Sequence, residues 1–98
     1  MKAKILVVDD EESIRYTFWF FLSEEGYGVT GAANYDEAVS LILERHFDLI
    51  FVDIVMEGKS GMDLLKKVQE IRPSMPVIII TGVPVSYTHL TLPTILLV

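Results

Sequence analysis

Asp9-Asp10, Asp53 and Thr81 each stand directly after a short apolar run: Ile5-Leu6-Val7-Val8, Leu49-Ile50-Phe51-Val52 and Val77-Ile78-Ile79-Ile80. If those runs are parallel strands, their carboxyl ends form one crevice, and the polar residues converge there despite their wide separation in sequence. Carboxylates gathered in this way repel. At about 4 Å and an effective dielectric near 20, each pair costs roughly 4 kcal/mol. Two remedies are open: one carboxyl stays protonated, or a hard divalent cation binds. Oxygen donors with no Cys anywhere in the chain favour Mg2+ over Zn2+.

The elements that must position these residues follow from periodicity. Ile5–Val8 and Leu49–Val52 are continuous apolar runs, expected as strands buried on both faces. Acids lead into a helix over Ser13 to Glu25, with Ile14, Phe18, Phe21 and Leu22 on its inward face and Gly26 as its stop. Tyr27 to Gly31 is expected as a second strand. Asn34 followed three residues later by Glu37 is a capping-box pattern that opens a second helix, with Ala38, Leu41 and Ile42 inward. Ser60 or Gly61 opens a third helix, with Leu64, Leu65, Val68 and Ile71 inward and Pro73 ending it. Pro76 to Ile80 is a fourth strand. The order β-α-β-α-β-α-β predicts an α/β fold, a doubly wound parallel sheet with right-handed crossovers.

Composition narrows the function classes. Ninety-eight residues allow one small domain. A net charge of -6 argues against direct nucleic-acid binding by this segment and suits a protein that binds cations or a basic surface. The absence of Cys excludes disulfides and thiolate metal sites. The apolar start is too short for a signal peptide, and no run is long enough for a membrane helix, so a cytoplasmic protein is expected.

The three stretches ILVVDDEESIR, DLIFVDIVMEGKSGMDLL and MPVIIITG resemble, in this order, the receiver domains of two-component response regulators. MEGKSGMDLL and MPVIIITG are most similar to receivers of the nitrogen-regulation type. The resemblance covers residues 2 to about 83. It implies a receiver (flavodoxin-like) fold in which Asp53 accepts a phosphoryl group from a sensor histidine kinase. It further implies Mg2+ bound by Asp10 and Asp53 with Asp9 close by, the backbone carbonyl of Val55 as a further ligand, and Thr81 as the hydroxyl that bonds the phosphoryl group and reorients. Gly82 matches the small position beside it. The chain would then be a phosphoacceptor signalling domain, not an enzyme, whose parent carries a C-terminal output domain. Glu57 departs from the Pro usual four residues after the phosphoacceptor. Tyr16, Trp19 and Phe20 point away from the expected inward face of the first helix, open either to packing within a complete domain or to kinase docking. His46 is expected at the exposed end of the second helix, and His89 has no assigned role.

Two other readings stand beside this one. A receiver-fold binding module without phosphorylation is disfavoured by the presence of Asp9, Asp10 and Asp53. An aspartate-nucleophile phosphohydrolase would have its first acids separated by one residue, whereas here they are adjacent.

The end of the chain reads differently. No Asp, Glu, Lys or Arg follows Arg72, so the Lys that closes the family's fifth strand has no counterpart, and impaired phosphoryl acceptance is expected. Val85 to Thr94, VSYTHLTLPT, is similar to the conceptual translation of a transposase adapter used in sequencing libraries. Pro84 fits the preceding codon, Ile95 to Leu97 fit an index, and Val98 precedes the adapter's stop. Residues 1–83 are therefore expected to be a receiver truncated after the fourth strand, and residues 84–98 a non-native, adapter-derived tail. Its apolar end, Ile95–Val98, is expected to lie against the sheet.

Overall fold

A computed structural model describes residues 2–54, 61–80 and 94–97, the last for their backbone. The elements are β1 (Lys4–Val8), α1 (Glu12–Glu24), β2 (Gly28–Ala32), α2 (Tyr35–Glu44), β3 (Leu49–Asp53), α3 (Gly61–Ile71), β4 (Val77–Ile80) and β5 (Thr94–Leu97). All strand pairs are parallel, in the order β2-β1-β3-β4-β5. The alternating α/β reading is met for every element up to Ile80. β5 comes from the stretch expected to be non-native and pairs Val77 with Thr94 through Ile80 with Leu97. Placing it there gives hydrogen-bond partners to an edge of β4 that would otherwise be open.

Local sequence explains where helices begin and end. The Asn34 side chain accepts the Glu37 N–H at 2.9 Å, so α2 starts where the capping pattern predicts. Gly26 has φ of 92°, and the N–H groups of Gly26 and Tyr27 donate to Ser23 and Leu22 carbonyls at 3.0 and 3.1 Å. That pair of bonds closes α1 in the left-handed conformation that glycine adopts without penalty.

The two faces of the sheet are covered unequally. On one, Leu6, Val8, Ile50, Val52, Val77 and Ile79 pack with Ala38 and Ile42 of α2 and Leu64, Leu65 and Val68 of α3 into a single buried cluster. Each such aliphatic side chain contributes about 1.5–3 kcal/mol when fully buried. On the other face α1 packs against β2 and β1. β1 is buried on both faces as its apolar run predicts; β3 and β4 alternate between buried and half-buried residues. Phe51 is covered in part by the Phe18 ring, 5.2 Å away.

The inward face of α1 differs from the sequence expectation. Phe18 and Leu22 do turn inward, together with Arg15. Ile14 and Phe21 are 37% and 64% exposed, because the stripe that meets the sheet is 15-18-22 and leaves both on a flank. Tyr16, Trp19 and Phe20 are exposed; the Tyr16 ring is tilted against Trp19 at 5.8 Å and stacked on Phe20 at 6.4 Å between centroids.

Among the described glycines, Gly61 makes the tightest backbone approach. A Cβ there would strike the Asp53 carbonyl oxygen and come within 2.6 Å of the Ile54 Cα and 2.9 Å of the Val52 Cγ1. The Gly61 N–H also donates to the Ile54 carbonyl at 3.1 Å. Gly61→Ala is expected to destabilise the chain by about 1–3 kcal/mol, since backbone must move to admit the methyl group. An unchanged denaturant midpoint would show that the approach is looser than described.

Candidate functional site: three carboxylates at the strand ends

The strand order reverses between β1 and β3: β2 lies on one side of β1, and β3 and β4 lie on the other. A crevice opens at such a reversal, beyond the carboxyl ends of the strands. Asp9 follows β1 there, and Asp53 is the last residue of β3. Their backbones are fixed by the ladder. The Asp9 N–H donates to the Ala32 carbonyl at 3.1 Å, Val8 lies opposite Val52, and Asp53 lies opposite Ile80.

Asp9, Asp10 and Asp53 each bring a carboxylate oxygen within 4.8 Å of the others. Asp9 is buried, Asp53 half-buried and Asp10 exposed. Burial pushes the Asp9 carboxyl above its ordinary value of 3.8. The Glu11 N–H, donating to Asp9 Oδ1 at 2.9 Å, pulls it down, while the charges of Asp53, Asp10 and Glu11 push it up. Three oxygen donors converging with one of them buried are a fit donor set for a hard divalent cation, whose charge would offset both the burial and the repulsion.

The sequence-predicted residues thus divide. Asp9, Asp10 and Asp53 are brought together. Val55, Glu57, Thr81, Gly82 and His89 lie outside the described residues, although Ile54 and Ile80, which precede Val55 and Thr81, are joined by the Ile54 N–H to Ile80 carbonyl bond at 3.1 Å. His46 is exposed just past α2 and lies 3.0 Å from Asp48, outside the group of three acids. Two residues around the site were not read from the sequence as part of it. Gly61 abuts the Asp53 carbonyl, and a glycine at a helix start after an acidic strand end is a signal for such an approach. Arg15 turns toward β1 and donates to the Asp9 carbonyl at 2.7 Å; within an aromatic helix its charge hides this inward direction.

Comparison with known proteins bears on what this site belongs to. The response regulator receiver domain family matches residues 5–89. The transcriptional regulatory protein ResD of Bacillus subtilis is 39% identical over 81 residues, which are 83% of this chain and 33% of ResD. The chain therefore spans about a third of that relative's length. Among solved structures, the response regulator TrrA of Thermotoga maritima, in complex with Mg2+-BeF, has a TM-score of 0.82 at 30% identity, covering 97% of this chain and 85% of TrrA. NtrX of Brucella abortus, in complex with ATP, has a TM-score of 0.78 at 39% identity, covering 82% of this chain and 19% of NtrX. With most of its length matched and its acids gathered where the strand order reverses, the chain belongs to the response regulator receiver domain family and is the receiver of a two-component response regulator.

Proposed function

We propose that Asp53 is the phosphoacceptor and that Asp9, Asp10, Asp53 and the Val55 carbonyl hold Mg2+. The observation that supports this most directly is the convergence of the three carboxylates within 4.8 Å. When bound, the cation screens the negative charge of the acids and of the incoming phosphoryl oxygens. A carboxylate oxygen of Asp53 attacks the phosphorus of a phosphohistidine on a sensor histidine kinase. The new P–O bond forms as the P–N bond breaks, and the imidazole leaves with the bonding pair and takes up a proton. The phosphoaspartate gains acceptor oxygens and negative charge, which draw the Thr81 hydroxyl toward them and bias the neighbouring chain. In this reading the domain signals by accepting a group rather than turning over a substrate. It works in the cytoplasm and passes its state to an output domain of the parent protein. The nitrogen-regulation subgroup is supported by the stretches MEGKSGMDLL and MPVIIITG and by the likeness to NtrX.

We also propose that residues 84–98 are a non-native tail. The family match runs to residue 89, so the boundary after Val83 is supported by the adapter-like wording of Val85 to Thr94 alone. Among the described residues no helix is long and apolar enough to cross a membrane.

Three outcomes are expected. Asp53→Asn abolishes labelling by a small phosphodonor with Mg2+ in the receiver of the intact parent protein, and undiminished labelling would sink the phosphoacceptor assignment. Asp9→Asn weakens Mg2+ binding but stabilises the metal-free chain. The sign follows from the raised Asp9 carboxyl: the folded state holds its proton more tightly than the unfolded chain, so the Asp9 contribution falls as pH rises above 3.8. Melting temperatures of the two proteins without metal should therefore diverge, with the variant higher, as pH rises through that window; parallel curves would contradict a repulsive cluster. Source DNA amplified across codons 80 to 98 without the adapter should run on into a further strand ending in Lys, whereas a native reading of SYTHLTLPTILLV would refute the tail assignment.

A further inference from the structure

We infer that Arg15 is a positioning residue for the cation site, and that Gly31 is the seat that lets it act; the inference rests on the Mg2+ reading above. Arg15 is half-buried on the inward face of α1. Its Nη1 donates to the main-chain carbonyl of Asp9 at 2.7 Å, not to a carboxylate of the cluster. That carbonyl belongs to the peptide joining Asp9 to Asp10, so its orientation sets where the Asp10 side chain leaves the backbone.

The same residue is held at two other points. Its N–H is bound by the Ala32 carbonyl at 3.1 Å, and its Oδ1 accepts the Glu11 N–H at 2.9 Å. β2 therefore fixes the amide side of Asp9, α1 fixes the carbonyl side through Arg15, and the carboxylate itself caps the turn into α1. Without the guanidinium, the Asp9–Asp10 peptide loses its bond to α1 and gains freedom to rotate.

Gly31 completes the arrangement. It lies opposite Val7 on the exposed surface of β2. A Cβ at Gly31 would lie 3.3 Å from the Arg15 Cδ and 3.8 Å from both its Cβ and its Nε. The arginine stem crosses the strand over the space that the missing side chain leaves. A larger residue at position 31 displaces the stem while leaving the net charge unchanged.

Charge and position predict opposite signs. Arg15 is a cation near an acidic cluster, so if it acted only as a charge its removal would tighten Mg2+ binding. If it positions Asp10, its removal loosens binding. Partners that orient metal ligands cost about 10–100-fold in affinity when lost. Calorimetric titration of the full chain with MgCl2 is expected to show Arg15→Ala binding about 10–100-fold more weakly than the native chain. Gly31→Val should shift the same way with its net charge unchanged, and Arg15→Lys should recover part of the loss. In the metal-free protein, the Glu11 amide should exchange with solvent faster in Arg15→Ala than in the native chain. Equal or tighter Mg2+ binding by Arg15→Ala, or a Glu11 amide that exchanges at the native rate, would overturn the inference. A native chain that binds no Mg2+ would overturn the metal reading instead, and the Glu11 exchange rate would still decide whether Arg15 clamps the turn.

Discussion

Three carboxylates that repel one another are held within 4.8 Å by groups that do not include their own mutual attraction. The backbone ladder supplies that restraint. Asp9 is tied to β2 through Ala32, and Asp53 is tied into β3 opposite Ile80, so neither acid can retreat without breaking strand pairing. The buried cluster beneath them, from Leu6 and Val8 to Ile79, makes such a break expensive, because each strand that moved would expose aliphatic side chains. Much of the rest of the molecule follows from this one constraint: a stiff, apolar sheet pinning charges in a place they would otherwise leave.

The supports around the acids share a physical character. Where backbone must approach closely the side chain is absent, as at Gly61 against the Asp53 carbonyl, and at Gly31 its absence leaves room for the Arg15 stem. Where the chain turns from strand to helix after Asp9, main-chain groups are bonded by a carboxylate on one side and a guanidinium on the other. Both devices fix peptide orientation directly rather than through side-chain packing. That suits a site whose ligands come from chain positions more than forty residues apart. The likeness to TrrA, solved in complex with Mg2+-BeF, places the same fold around such chemistry in a relative.

The unequal faces of the sheet explain which sequence expectations met the structure and which did not. α2 and α3 cover one face of the sheet, so of the apolar positions assigned inward on those helices Ala38, Ile42, Leu64, Leu65 and Val68 are buried, while Leu41 and Ile71 are partly buried against them. α1 works on the other face against β2 and β1, and there the periodic reading placed Phe18 and Leu22 correctly but Ile14 and Phe21 wrongly. Ile14 and Phe21 are apolar but flank the contact, while Arg15 is charged but lies in it. Hydropathy ranks side chains by transfer free energy, and a guanidinium that bonds a carbonyl while laying its methylenes on a glycine escapes that ranking. β3, expected to be buried on both faces, shows one half-buried side.

The sequence by itself determined the order of elements, the parallel sheet, the caps at Asn34 and Gly26, and the candidacy of Asp9, Asp10 and Asp53. These are local or periodic properties, written in runs of a few residues and read without knowing what lies across from them. Only the tertiary structure decided that the three acids share one site, that Asp9 is the buried one, that Arg15 rather than Ile14 faces the sheet, and that Gly61 leaves no room for a side chain while the Arg15 stem lies over Gly31. Those facts depend on distances between residues far apart in the chain. Such distances are set by strand register and helix rotation, which single-sequence periodicity constrains only to within a face.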